Sequence, residues 1–278
     1  MHVAEDVVTP SGPYRLRLMA PGGRWTAPLP GGDTAIAWQR PDGRVVIRAG
    51  AEQGLACARF MLALDDDTTE FHARFGKDRL LGPSARALVG YRPLRLATVV
   101  HAALRAIAGQ LIESSRARAI ERSILRGCGE RVASREALAR LSPADMRRHG
   151  LATGRASTLA RLVRTLDFER LRDKPTDAVL ARLRRERGVG PWSVGVIALE
   201  GLRRYDHGIV GDLGLVKLAS SLWGRWVDGA ETAALLGPYE EWQGLAGDVL
   251  LRGWSRGLVP GASPDTARLV RVRARRAA

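Results

Sequence analysis

From residue 13 to residue 49 polar and apolar side chains alternate with a period of two. The segments YRLRLM (Tyr14–Met19), DTAIAWQ (Asp33–Gln39) and GRVVIRA (Gly43–Ala49) carry the alternation, and PGG, PGGD and PDG separate them. Alternation bounded by Gly- and Pro-containing turns predicts strands, the last two closing a hairpin. At Ala51 the period lengthens. AEQGLACARFMLALDDD spaces its apolar residues by three and four, as on one face of a helix. Residues 1–92 therefore predict a small antiparallel sheet with helices packed on it.

Past the helix-breaking Pro93 the pattern is almost wholly helical. It predicts helices over Ala97–Glu113, Ser114–Arg126, Ser134–Leu141, Pro143–Arg148, Gly154–Leu166, Pro175–Arg187 and Pro191–Leu202, most of them entered through Ser, Pro, Gly or Thr. On the second of these, Arg116, Arg118, Arg122 and Arg126 form a solvated basic face. Residues 93–262 thus form an all-α region, and residues 263–278 (SPDTARLVRVRARRAA) a basic tail. The fold class is α+β, with an N-terminal antiparallel sheet and helices followed by helices alone. No repeat of fixed period is present.

Charge narrows the partners. Against 29 acidic residues stand 44 Lys and Arg, a net charge of +15, and nearly all the cations are Arg. A GC-rich genome favours Arg over Lys in any protein, which explains the residue type but not the excess. Guanidinium groups bind phosphate in a bidentate fashion, so the surplus points to nucleic acid. Two cysteines, Cys57 and Cys128, cannot supply a four-thiolate iron–sulfur cluster, and the five His residues show no metal-ligand spacing. The N-terminus has acidic residues where a secretory signal needs basic ones, and no run reaches a membrane span of about 18 apolar residues. A cytoplasmic, nucleoid-associated monomer is expected, without metal or membrane.

The densest signal runs from Arg187 to Leu218: RGVGPWSVGVIALEGLRRYDHGIVGDLGLVKL. Gly188-Val189-Gly190 follows a helical pattern, not a strand, and Ser193 stands where a dinucleotide fingerprint needs a third Gly. No Lys-Ser/Thr pair follows, so a P-loop is excluded too. A helix–tight turn–helix remains. Its second helix opens at Pro191 and points free N–H groups outward, a device suited to phosphate or simply an αα-hairpin packed on its glycines. Asp212 heads the next helical segment, where a carboxylate is an ordinary N-cap worth about 1 kcal/mol.

GVGPWS followed by GDLGLVK closely resembles the helix-hairpin-helix DNA glycosylase superfamily, and within it the type II 3-methyladenine (alkyl-base) branch. YRLRL and GDTAIAW resemble that branch's N-terminal sheet domain, and RAIAGQLIESSRA its lesion-inserting segment. The resemblance covers most of the chain and implies a two-lobed helical region with the hairpin near residues 178–203. It implies hydrolysis of an N-glycosidic bond in duplex DNA that contains damaged bases, by base flipping, leaving an abasic site. Asp212 then stabilises the oxocarbenium-like sugar. A carboxylate about 4 Å away at an effective dielectric near 20 contributes roughly 4 kcal/mol, about a thousandfold in rate.

Further roles follow from the resemblance. Trp192, Val196, Trp242 and Asp248 are the expected base pocket, with Val196 and Asp248 standing where the family carries aromatics. Gln110 and Leu111 are the expected wedge into the duplex. Gly188, Gly190, Trp192, Ser193 and Lys217 are the expected phosphate contacts, and a monovalent cation at the 188–190 carbonyls is a further implication. Bifunctional relatives place a nucleophilic Lys where this chain has Trp192, so a hydrolase without lyase activity is implied. The alternatives are a glycosylase for deaminated or oxidised purines and a non-catalytic DNA binder.

Overall fold

A computed structural model describes residues 3–263. Four strands form one antiparallel sheet in the order β1-β4-β3-β2: β1 (Ala4–Val8), β2 (Arg24–Pro28), β3 (Thr34–Gln39) and β4 (Val45–Ala49). The β3–β4 hairpin is the expected one, with Ala37 opposite Ile47 and Trp38 opposite Val46. β1 and β2 were not expected, and the strand expected over Tyr14–Met19 does not form. Leu16–Leu18 is a turn of 3-10 helix instead. Its polar groups are taken elsewhere: the Gln39 side chain accepts from Leu16 N at 2.9 Å and donates to Tyr14 O at 3.0 Å, and Arg15 N donates to Gly90 O at 2.8 Å. Tyr14 and Leu16 are still buried, so the alternation marked burial rather than pairing.

Thirteen helices lie among the described residues: α1 (Glu52–Met61), α2 (Thr69–Phe75), α3 (Gly82–Ala87), α4 (Val99–Gly109), α5 (Ser114–Gly127), α6 (Arg135–Ala139), α7 (Pro143–Arg148), α8 (Thr153–Thr165), α9 (Thr176–Arg184), α10 (Pro191–Gly201), α11 (Leu213–Trp223), α12 (Thr232–Leu236) and α13 (Gln243–Trp254). The sheet and α1 bury one core of Trp25, Ala37, Ile47, Leu62 and their neighbours. A larger core gathers α2 to α13. Packing does not follow the chain boundary expected at residue 92, because Phe71 of α2 lies 5.6 Å from the Trp242 ring and α3 packs on α13. The basic tail expected over residues 263–278 lies, except for Ser263, outside the described residues.

The helix expected over Ala97–Glu113 is shorter at both ends. Thr98 caps α4, its hydroxyl accepting from His101 N at 3.2 Å, and the helix stops at Gly109. α4 is the central element, with nine of its residues buried. Each fully buried Val, Leu or Ile there contributes about 1.5–3 kcal/mol, which outweighs any surface contact in holding α5 and α10 against it. α10 runs antiparallel to α4: Trp192 at its start lies on Gly109, and Gly201 at its end lies on Ala102 and Val99. That alignment brings the segment after α4 to the mouth of the hairpin.

Candidate DNA-binding and catalytic site

The hairpin is α9, the turn at 185–190, and α10. Gly188 has φ +83°, and a Cβ there would lie 2.4 Å from Thr158 Oγ1, so both backbone conformation and space call for glycine. Glu186 fastens the turn from behind. Its carboxylate accepts from Arg161 and Arg182, and Arg161 also donates to the Arg187 carbonyl. Burial pushes the Glu186 carboxyl up, but the two guanidinium groups prevail and hold it below the usual carboxylate range. At the head of α10, Gly190 is the N-cap with no side chain to cap it, and Pro191 brings no N–H. The amides of Gly190, Trp192 and Ser193 donate to nothing among the described residues.

Gln110 closes the other side of the mouth. Its Nε2 donates to Gly188 O at 2.8 Å and to Ser193 Oγ at 2.9 Å, and Ser193 is itself buried. The next residue, Leu111, is 93% exposed with φ +51°. A bulky residue in the left-handed region costs about 1–2 kcal/mol, and nothing folds over this side chain to repay it.

Asp212 meets the same first turn of α10, through Trp192. Its Oδ1 accepts from Gly214 N at 2.7 Å and Leu215 N at 3.3 Å, capping α11, while Oδ2 accepts from Trp192 Nε1 at 3.1 Å. The capping and the indole contact thus use different oxygens, and the carboxylate remains half-buried rather than sealed. The loop beneath is pinned as well: Gly211 N donates to the buried Thr232 Oγ1 at 2.8 Å, which in turn donates to Gly229 O at 2.7 Å. The Trp192 ring meets α4 at Gly109, where a Cβ would lie 2.7 Å from Trp192 Cη2.

Asp212, Trp192, Gly188, Ser193 and Gln110 are therefore joined by direct contacts, with Leu111 and the open α10 amides at the same mouth. The remaining candidates lie apart from that contact set. Val196 is buried one turn behind Trp192, in the core between helices. Trp242 stacks on Tyr205 at 5.9 Å and tilts against Phe71 at 5.6 Å. Asp248 accepts from Tyr91 Oη and, at 3.2 Å, from Arg252 Nε, whose guanidinium lies 4.2 Å over the Tyr91 ring. Lys217 is exposed on α11 without an ion-pair partner among the described residues. The carbonyls of Gly188 and Gly190 already accept from Gln110 and Val194, so a monovalent cation there would share them with those donors. Among the described residues no group of three or more His, Cys, Asp and Glu could hold a metal, and no helix is long and apolar enough to cross a membrane.

The sequence did not point to Gly109, Thr158, Arg161, Glu186 or Thr232. Each acts through a neighbour distant in the chain, which local spacing does not encode.

No protein-family profile matches the chain, and no curated protein does. Solved structures do. The 3-methyladenine DNA glycosylase of Archaeoglobus fulgidus superposes with a TM-score of 0.73 at 15% identity, over 90% of this chain and 98% of that one. An 8-oxoguanine glycosylase/lyase of Clostridium acetobutylicum, in complex with DNA containing cytosine opposite 8-oxoguanine, gives 0.72 at 17% identity, over 92% and 98%. A 3-methyladenine DNA glycosylase of Schizosaccharomyces pombe bound to abasic DNA gives 0.59 at 16% identity, over 70% and 100%. At such identities the likeness is one of fold alone, the fold that these DNA glycosylase structures share.

Proposed function

We propose that the protein is a monofunctional DNA glycosylase that removes alkylated purines from duplex DNA and leaves an abasic site. The observation that carries the proposal is the Asp212 carboxylate, fixed by α11 amides on one oxygen and the Trp192 indole on the other, at the mouth of a hairpin with open amides. A carboxylate set beside phosphate-binding groups weakens DNA binding, so a pure binder gains nothing from it. A glycosylase gains the stabilisation of positive charge as the base departs. The α10 N-terminus and Lys217 hold the phosphates, Leu111 enters the gap in the duplex, Gln110 joins it on giving up its bonds to Gly188 O and Ser193 Oγ, and Trp192 stacks on the extruded base. An electron-rich ring suits a base made cationic by alkylation, which is also a good leaving group.

Trp192 brings no amine to the point where a lyase needs one, and Lys217 lies on the following helix, so water rather than an amine attacks the sugar. The protein acts as a cytoplasmic monomer in this reading, with no cofactor taking part in the step. Duplex oligonucleotides with a methylated, deaminated or oxidised purine, incubated with the protein and resolved with and without hot alkali, test it. Breaks at the methylated purine only after alkali are expected. Breaks without alkali would make the enzyme a lyase, breaks only at deaminated or oxidised purines would change its substrate, and none at any lesion would leave a DNA binder.

A further inference from the structure

Beyond Asp212 the outward face of α11 leads away from the mouth. Leu213, Lys217 and Ser221, each one turn apart, are exposed along it. The helix ends at Gly224, whose φ of +64° turns the chain back. The return segment, residues 225–231, passes Trp226 and comes back to the loop that carries Asp212: a Cβ on Gly229 would lie 3.3 Å from Gly211 Cα.

This segment is held along its length. Arg225 Nη1 donates to Trp226 O at 3.1 Å and to Glu231 Oε2 at 3.2 Å, and Nη2 donates to Glu231 Oε1. Val227 is buried, and its N donates to Ser220 Oγ at 3.0 Å, which itself donates to Val216 O at 2.7 Å. Glu231 accepts from Asp228 N at 2.7 Å, and Asp228 Oδ1 accepts from Ala230 N at 2.9 Å. With its backbone pinned on both sides, Trp226 leaves its indole 73% exposed. Among the large apolar side chains of the described residues only Leu111 is more exposed.

An indole kept in water on a braced loop marks a surface that binds, and its flat face suits sugars and bases. The occupant follows from what adjoins it. Leu213 and Lys217 join the ring to Asp212 in one exposed strip, and Lys217 supplies a cation. The nearby carboxylates of Asp228 and Glu231 are already engaged with amides and with Arg225. Ser220, to which Val227 is tied, stands about 12 Å along α11 from Asp212. That is within about four nucleotide steps at 3.4 Å each.

We propose that Trp226 is a second apolar contact to DNA, its indole lying on the deoxyribose of a nucleotide on one flank of the lesion, with Lys217 on a phosphate between it and Asp212. The inference rests on the DNA-binding reading above and extends the footprint to one side. Because backbone bonds hold the loop before DNA arrives, little ordering opposes the contact.

Trp226→Ala in the full chain tests it, by anisotropy titration of duplexes carrying a tetrahydrofuran abasic analogue, beside Tm and sedimentation. One duplex has about ten base pairs on each side of the lesion, and two others are trimmed to about two on one side or the other. The Ala variant should bind the full duplex about tenfold more weakly, with a Tm within a few degrees. Trimming one particular side should cost the wild type about tenfold more than it costs the variant, and trimming the other should cost both alike. The slope of log affinity on log salt should stay the same in Trp226→Ala and shrink by about one in Lys217→Ala, since only the lysine displaces a counterion. Trp226→Phe keeps a ring there and should bind within about threefold of the wild type. Equal affinity of the Ala variant and the wild type for the full duplex, or equal losses on trimming either side, overturns the proposal. So does a Phe variant as weak as Ala, or a wild-type dimer that the Ala substitution splits, which would make Trp226 a contact between copies. A wild-type protein that binds no duplex at all overturns the DNA-binding reading first, and this one with it.

Discussion

Asp212 accepts three hydrogen bonds from within the protein, two from α11 amides and one from Trp192 Nε1. Because the cap and the indole use different oxygens, Trp192→Phe should spare the helix and free one edge of the carboxylate. A single hydrogen bond to a charged group is worth about 1.5–3 kcal/mol, so excision should slow by roughly tenfold to a hundredfold with little change in Tm. Single-turnover rates beside a thermal melt would show the split. Leu111 makes the opposite case. Its left-handed backbone at φ +51° and its exposure leave it strained and unpacked. Leu111→Gly should therefore keep or raise stability by up to about 1 kcal/mol while excision falls, since no side chain fills the vacated stack. Loss of stability and activity together would mean that Leu111 is merely structural.

Among elements, the meeting of α4 with α10 sets the site. Trp192 reaches Asp212 only because Gly109 leaves room for the indole; Gly109→Ala would bring a Cβ to 2.7 Å from Cη2 and displace the ring. Such overpacking costs about 1–3 kcal/mol, and excision should fall with it, whereas binding through the hairpin amides should persist. Titration of fluorescent duplex against both proteins would separate the two effects. How much the sequence reveals also varies by element. The β3–β4 hairpin, α7 with its Ser142–Asp145 capping box, and α10 behind its Pro191 are legible because turn and cap chemistry is local. β1 is not, since Ala-Glu-Asp-Val-Val becomes a strand only by pairing with β4, some forty residues away. The end of α4 at Gly109 is likewise decided by the hairpin, through Gln110 bonding Gly188 O and Ser193 Oγ.

For the molecule as a whole, charge governs both binding and acid stability. A net charge of +15 should make the logarithm of DNA affinity fall steeply and linearly with the logarithm of salt concentration, as condensed counterions are released. A shallow slope would place the cations away from the DNA. Glu121 and Glu186 are both held below their ordinary value of 4.5, against their burial: Glu121 by His101 and Arg105, Glu186 by Arg161 and Arg182. A carboxyl lowered on folding adds stability at pH above that ordinary value and loses it as pH falls through the lower folded one. Unfolding free energy should thus decline below about pH 4.5, and Glu186→Gln should flatten the decline while lowering stability at neutral pH. The hairpin and Asp212 were legible as a motif because their spacing is short. The ion pairs around them were not, because Arg161 with Glu186 behind the turn and Arg105 with Glu200 between α4 and α10 meet only in the folded chain.

Asp212 can be tested apart from everything else in the fold. Asp212→Asn keeps an oxygen to cap α11 and removes the charge together with the acceptor that meets Trp192 Nε1, so the protein should still fold and bind DNA as well as before or better. Single-turnover excision of N7-methylguanine from a duplex, measured beside the affinity for that duplex, should fall by about a thousandfold or more with affinity retained. Excision by the Asn variant at the wild-type rate would contradict a catalytic role for this carboxylate.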